Sequence, residues 1–282
     1  MPGLPLADFC GAKLSRLILG DNPFNGHSYV REVYDGGEME DYYTAERCVA
    51  ALFEAEANGI TAYMALASPF ILRVVRQYRN EGGAMKLLFQ SYPAIGLEIN
   101  IDQMMAYDPV AIYHQGGTFD LLCEEEKWDE IRARLELIRK TGVATGLGTH
   151  VPETVERAER EGWDVDFYAT CLYNARRTRR GEQSGFITGK PKDLVFYPGD
   201  PPDMYRAIRN ARKPCVAFKV FAGGQIFLNK DEAEIKKAAE AAITDAYENI
   251  KPGDLLCIGV FQRDKNQIAE NAGFAKRALG RL

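Results

Sequence analysis

Short apolar runs alternate with longer stretches of helical spacing along the whole chain. The runs are rich in Val, Ile, Leu, Phe and Ala and occupy 17–20, 60–65, 86–92, 110–114, 143–150, 167–173, 215–221 and 255–261. Runs of this length bounded by turn-forming residues predict β-strands. Between them, 45–58, 70–80, 124–140, 153–161, 202–210, 231–249 and 266–278 carry apolar positions three and four apart and predict helices. Local chemistry agrees: Asp231 and Glu234 have capping-box spacing, Pro152 suits a first helical turn, and Lys251-Pro252-Gly253 is a stop. Strands that are apolar almost throughout suit a parallel sheet covered by helices, and eight strand–helix units predict an α/β fold, a single closed (β/α)8 barrel. The alternative is an open doubly wound sheet, but no Gly-x-Gly-x-x-Gly or Walker pattern follows the first strand to support it.

A chain of 282 residues suits one barrel domain over 1–282, with long irregular stretches at 22–43 and 175–201. The net charge of −5, without a basic stripe, gives no footprint for nucleic acid. No apolar stretch reaches the length of a membrane span and the N-terminus lacks a secretory signal, so the expected compartment is the cytoplasm and the expected partner a small-molecule substrate. Six cysteines without a C-x-x-C pair read as reduced thiols. Oligomeric state leaves no mark in the sequence.

The chain has three histidines, His27, His114 and His150, and all follow or end an apolar run. In a barrel the C-terminal strand ends form the working face, so the three are candidates for one site, with Asp21 and Glu98 nearby. Two imidazoles and a carboxylate suit Zn, Mn or Fe, which makes His114, His150 and His27 candidate metal ligands. The same groups suit metal-free acid–base work, since imidazole titrates near neutral pH. Lys219 stands inside an apolar run; it reads as an anion-binding or Schiff-base lysine, or as one that snorkels outward. Strand alternation sets Lys219 and Phe218 on opposite faces, so both reach the mouth only if the strand ends or bulges there. Arg176-Arg177-Thr178-Arg179-Arg180, with Lys190 and Lys192, reads as an anion clamp or a solvated surface, and the tyrosines of 25–43 as a cover for the mouth or a packing face.

The order of motifs resembles the aldo-keto reductase superfamily. Leu17-Ile18-Leu19-Gly20, Asn58-Gly59-Ile60-Thr61-Ala62-Tyr63, Ala111-Ile112-Tyr113-His114 and Gly146-Leu147-Gly148-Thr149-His150 are similar to its first, second, fourth and fifth strands, and Gln267-Ile268-Ala269-Glu270-Asn271 to its final segment. The resemblance implies a catalytic histidine at His114, an aromatic for nicotinamide at Phe218, and Glu270 and Asn271 at the adenosine end of NADP(H). It departs at the chemistry: Met64 stands where the family has aspartate, Pro69 where its tyrosine would follow, and Gln90 or Ser91 where it has lysine. Gly148, Thr149 and Thr170 replace the residues that hold the carboxamide, which counts against NADP(H). The expectation is an enzyme that has left tyrosine-based reduction for lyase, isomerase or hydrolase chemistry on a small carbonyl- or hydroxyl-bearing molecule, with His114, His150, Asp21 and Lys219 as catalytic candidates. The alternatives are an NADP(H)-dependent oxidoreductase with another proton donor and a catalytically silent binding barrel.

Overall fold

Eight parallel strands close the barrel that the apolar runs predict, in a computed structural model describing residues 3–176 and 196–281. The strands are β3 (Leu17–Gly20), β4 (Ala62–Leu66), β5 (Lys86–Gln90), β6 (Ala111–His114), β7 (Ala144–Thr149), β8 (Phe167–Cys171), β9 (Cys215–Phe218) and β10 (Leu255–Ile258), with β10 pairing back onto β3. Before them an antiparallel hairpin, β1 (Leu6–Phe9) and β2 (Ala12–Ser15), carries Phe9 and Leu14 into the interior cluster, where Phe9 meets Phe167 edge-on. The hairpin caps the N-terminal end of the barrel and leaves the other end as the only open mouth among the described residues.

The outer layer holds α1 (Gly36–Tyr42), α2 (Ala45–Ala57), α3 (Pro69–Asn80), α4 (Leu97–Met105), α5 (Gly116–Glu124), α6 (Trp128–Arg139), α7 (Pro152–Glu161), α8 (Pro201–Asn210), α9 (Glu232–Asn249) and α10 (Gln267–Leu279). The expected caps form: Asp231 accepts from the Glu234 N–H at 2.8 Å, Glu234 from the Asp231 N–H at 2.9 Å, and Pro152 opens α7. The single helix expected over 124–140 is broken, because Glu126 takes a left-handed turn (φ 54°) between α5 and α6. The irregular stretch 22–43 contains a 3-10 turn, Asn22–Asn25, and α1, whose capping box pairs Asp35 with Glu38. Most of 175–201, with Arg177, Arg179, Arg180, Lys190 and Lys192, lies outside the described residues.

Alternation along each strand decides which side chains enter the barrel. Ile18, Ala62, Met64, Leu88, Ala111, Tyr113, Phe167, Ala169, Val216 and Cys257 make the interior cluster, while Leu19, Tyr63, Phe89 and Ile112 pack beneath the helices. On β6 this parity sends Tyr113 inward and His114 outward.

Candidate active site

A cleft of about 1780 Å³ opens at the C-terminal strand ends and runs along β10 to the start of α10. That exceeds the roughly 300–1,000 Å³ of an ordinary small-molecule pocket and leaves room for more than one small ligand. Met64, Gln90, Tyr113 and Cys257 line its depth, with the Tyr113 hydroxyl donating to Gln90 Oε1 at 3.1 Å.

His150 stands just beyond β7 and lines this cleft, its side chain 12% exposed. Its Nδ1 lies 2.8 Å from Asp120 Oδ2 and its Nε2 3.4 Å from Lys219 Nζ. A carboxylate only accepts and an ammonium only donates, so the two neighbours fix one tautomer: Nδ1 carries the proton and Nε2 the lone pair. Asp120 is fully buried on α5 and also accepts from the His150 backbone N–H at 3.0 Å and the Thr149 hydroxyl at 2.5 Å. Glycine makes this approach possible. A Cβ at Gly148 would stand 2.9 Å from the His114 carbonyl oxygen and 3.0 Å from the Gly116 nitrogen, so the start of α5 seats on β7 only with hydrogen there. Asp120, one turn along from Gly116, is thereby set behind the imidazole. Burial, and then the Lys219 charge, hold His150 below the ordinary histidine pKa, with Asp120 partly offsetting them.

Lys219 reaches the same place because β9 ends at Phe218 and Lys219 turns left-handed, with φ 61°. That resolves the conflict of faces: Phe218 and Lys219 both line the cleft. The ammonium lies 4.6 Å from the Tyr29 ring centre, with Phe196 and Phe218 at 5.7 and 5.9 Å. Burial presses it toward the neutral amine, but Tyr29, Cys171 and Asp120 outweigh that and leave its pKa above the ordinary lysine value. A charged ammonium suits electrostatic work and weighs against the Schiff-base reading. Tyr29 is itself clamped, its hydroxyl accepting from Asn22 Nδ2 at 3.1 Å and its carbonyl from Gln225 Nε2 at 3.1 Å.

His114 requires correction. It is 2% exposed, lies outside the cleft lining and packs edge-on against Phe119 under the helices. Its Nδ1 faces the Gln115 carbonyl oxygen at 3.2 Å and its Nε2 meets Arg134 at 3.3 Å, so neither nitrogen is free for a ligand. Burial pushes its pKa down to about 4. The expected trio of metal ligands therefore does not assemble: His114 faces outward, His27 is on the exposed rim, and the Nε2 of His150 faces the Lys219 ammonium, which would repel a cation. No group of three His, Cys, Asp or Glu among the described residues is arranged to hold a metal.

Asp21 borders the cleft, but its carboxylate turns aside to accept from the Leu66 N–H at 2.8 Å and the Tyr63 hydroxyl at 3.2 Å. Burial raises its pKa to about 6. Its position is that of a brace between β3 and β4 and not of a partner to the histidines. Glu98 is exposed on α4, away from the cleft lining. Glu270 and Asn271 line the far end of the cleft, where Glu270 pairs with Lys265 at 2.8 Å. Arg176, the described part of the basic run, pairs with Glu124.

Asp120 and Tyr113 are the residues sequence reasoning missed. Each had a signal: an acid inside the apolar stretch Phe119-Asp120-Leu121-Leu122, and a tyrosine sharing Ala111's parity on a strand whose partner face must pack against helices.

No protein-family model matches the chain, and no curated protein matches it. Solved structures do. A truncated 3-deoxy-D-arabino-heptulosonate 7-phosphate synthase from Thermotoga maritima is 11% identical with a TM-score of 0.55, over 99% of this chain and 92% of that one. A dihydropteroate synthase from Xanthomonas albilineans is 13% identical with a TM-score of 0.52, over 99% of both chains. An aldo/keto reductase from Brucella melitensis is 11% identical with a TM-score of 0.52, over 97% of this chain and 99% of that one. This chain has a (β/α)8 barrel fold. Likeness shared by synthases and a reductase alike establishes the barrel and singles out no aldo-keto reductase membership. No helix among the described residues is long and apolar enough to cross a membrane.

Proposed function

We propose that the chain is an enzyme that moves a proton on a small carbonyl- or hydroxyl-bearing molecule, by isomerase or lyase chemistry, with His150 as the base. One observation supports the reading: Asp120 holds His150 Nδ1 and the Lys219 ammonium faces Nε2 at the cleft, so that a ligand drawing the ammonium to itself frees the Nε2 lone pair. Nε2 takes a proton from the carbon next to a carbonyl, and the C–H electron pair moves onto the carbonyl oxygen. Asp120 stabilises the imidazolium that forms, and the Lys219 ammonium faces the new negative charge on oxygen. In an α-hydroxy carbonyl substrate, passage of the hydroxyl proton to the other oxygen of the enediolate and return of the carbon proton to the former carbonyl carbon isomerise it; expulsion of a leaving group from the carbon on the far side of the enolate carbon makes a lyase. The Tyr113–Gln90 pair supplies hydrogen bonds to a hydroxyl deeper in the cleft.

The test is deuterium uptake. In D2O, a panel of short 2-oxo acids, hydroxy ketones and sugars is followed by NMR for C–H to C–D exchange. Wild-type protein is expected to exchange at least one of them and His150→Gln to lose about 10²–10⁴-fold of that rate. Equal rates would end the proposal.

A dinucleotide oxidoreductase is the second reading, and what favours it is continuity: Phe218, Glu270 and Asn271, the residues implied by the family resemblance, line the same cleft as His150. They would hold the nicotinamide and adenosine ends respectively, and the cofactor would supply hydride transfer. Saturable quenching on titration with NADPH supports this reading, and its absence removes it.

A further inference from the structure

Among the described residues, no carboxylate contacts the Lys219 ammonium where it stands in the cleft. Among the described residues its neighbours are His150 Nε2 at 3.4 Å, the Tyr29 hydroxyl and the rings of Tyr29, Phe196 and Phe218, and no Asp or Glu oxygen lies within the 4 Å of an ion pair. Aromatic faces attract a cation without neutralising it. Asp120, the acid of the same network, sits behind the imidazole with its oxygens engaged by His150 Nδ1, the His150 N–H and Thr149. Of the other acids along the cleft, Asp21 faces Tyr63 and Leu66, Asp264 and Glu270 pair with Arg263 and Lys265 at the far end, and Glu32 and Glu232 are exposed at the rim. A half-buried cation with no counter-charge in contact is a ready partner for an anion, and Lys219 is itself held in a left-handed conformation, uncommon for a residue with a Cβ, that turns it to the cleft.

We infer that the ligand of this cleft carries an anionic oxygen group, a carboxylate or a phosphate, that docks on Lys219 beside the atom from which His150 takes the proton. The inference rests on His150 as the proposed base and adds the substrate class: the docked group lies next to the reacting carbon, so the same ammonium receives charge as it develops. A lysine that only kept His150 neutral would not need to border the cleft.

Calorimetry with three probes decides it: lactate, inorganic phosphate and lactamide, the last being lactate with its charge removed. Lactate or phosphate is expected to bind, with lactamide or the Lys219→Met variant weakening the interaction about tenfold or more, as loss of a charge-assisted hydrogen bond implies. Binding of lactate alone assigns a carboxylate and binding of phosphate alone a phosphate ester. His150→Gln is expected to keep binding the anion, since the docking charge stays on Lys219, while losing deuterium exchange. Persistence of exchange in that variant would defeat the proton-transfer reading and leave the anion site standing. Equal binding of lactate and lactamide, wild-type affinity in Lys219→Met, or no binding of either anion up to roughly 10 mM would overturn the inference. Should Lys219→Met fail to fold, the comparison of lactate with lactamide on the wild-type chain decides alone.

Discussion

Asp120 Oδ2 holds His150 Nδ1 at 2.8 Å from the buried side of the ring, so a carboxylate one turn into α5 dictates which imidazole nitrogen faces the cleft. Asparagine at 120 keeps the shape and offers an N–H as well as an oxygen, which allows the ring to carry its proton on Nε2. Asp120→Asn is therefore expected to lower deuterium exchange by about 10²–10⁴-fold while the fold survives. Exchange rates and far-UV circular dichroism check the two halves; a rate within threefold of wild type contradicts the role.

His114 belongs to stability. Its pKa falls from the ordinary 6.5 to about 4, so between these values the unfolded chain binds a proton that the folded chain refuses. Stability is intact above pH 6.5 and declines by up to ~3 kcal/mol as the pH falls to 4. NMR titration is expected to show a ring still neutral at pH 5 whose signal disappears in His114→Leu, and that variant is expected to lose this component of acid sensitivity.

Asp21 has the opposite sign. With a folded pKa of about 6 against 3.8, the native state keeps a proton that the unfolded chain has released. Its contribution is full below pH 3.8 and is lost as pH rises through 6, costing the wild type up to ~3 kcal/mol at neutral pH. Relative to Asp21→Asn, wild-type stability in urea is expected to fall between pH 4 and 7 and to run parallel above that; parallel curves throughout would contradict the buried carboxyl.

The barrel was legible because its evidence is periodic: each apolar run needed only the right length and flanks, and errors of a residue or two did not alter the count. The site was legible in part. His150 and Lys219 stood out as polar residues at strand ends, and the conflict between Lys219 and Phe218 correctly demanded a strand end, supplied by a left-handed residue. His114 misled because nearness to a strand end does not say which face a side chain takes, and on a four-residue strand one step of parity separates cleft from packing. Asp120 was hidden because its partner is 30 residues away and meets it only through the close approach of Gly116 and Gly148.

Gly223 links the loop after β9 to Tyr29. A Cβ there would lie 2.6 Å from the Tyr29 ring, at a φ of 61° that disfavours any side chain. Gly223→Ala is expected to cost about 1–3 kcal/mol in urea unfolding and, by displacing Tyr29 from Lys219, to lower exchange without abolishing it. An unchanged midpoint would show the loop to be freer than the contact implies.

The most direct comparison sets wild type, His114→Leu and His150→Gln side by side in the deuterium-exchange experiment at pH 7.5. His114→Leu is expected to stay within about threefold of wild type and His150→Gln to fall by about 10²-fold or more. The reverse order, with His114→Leu inactive and His150→Gln active, would contradict the placement of the chemistry at Asp120, His150 and Lys219.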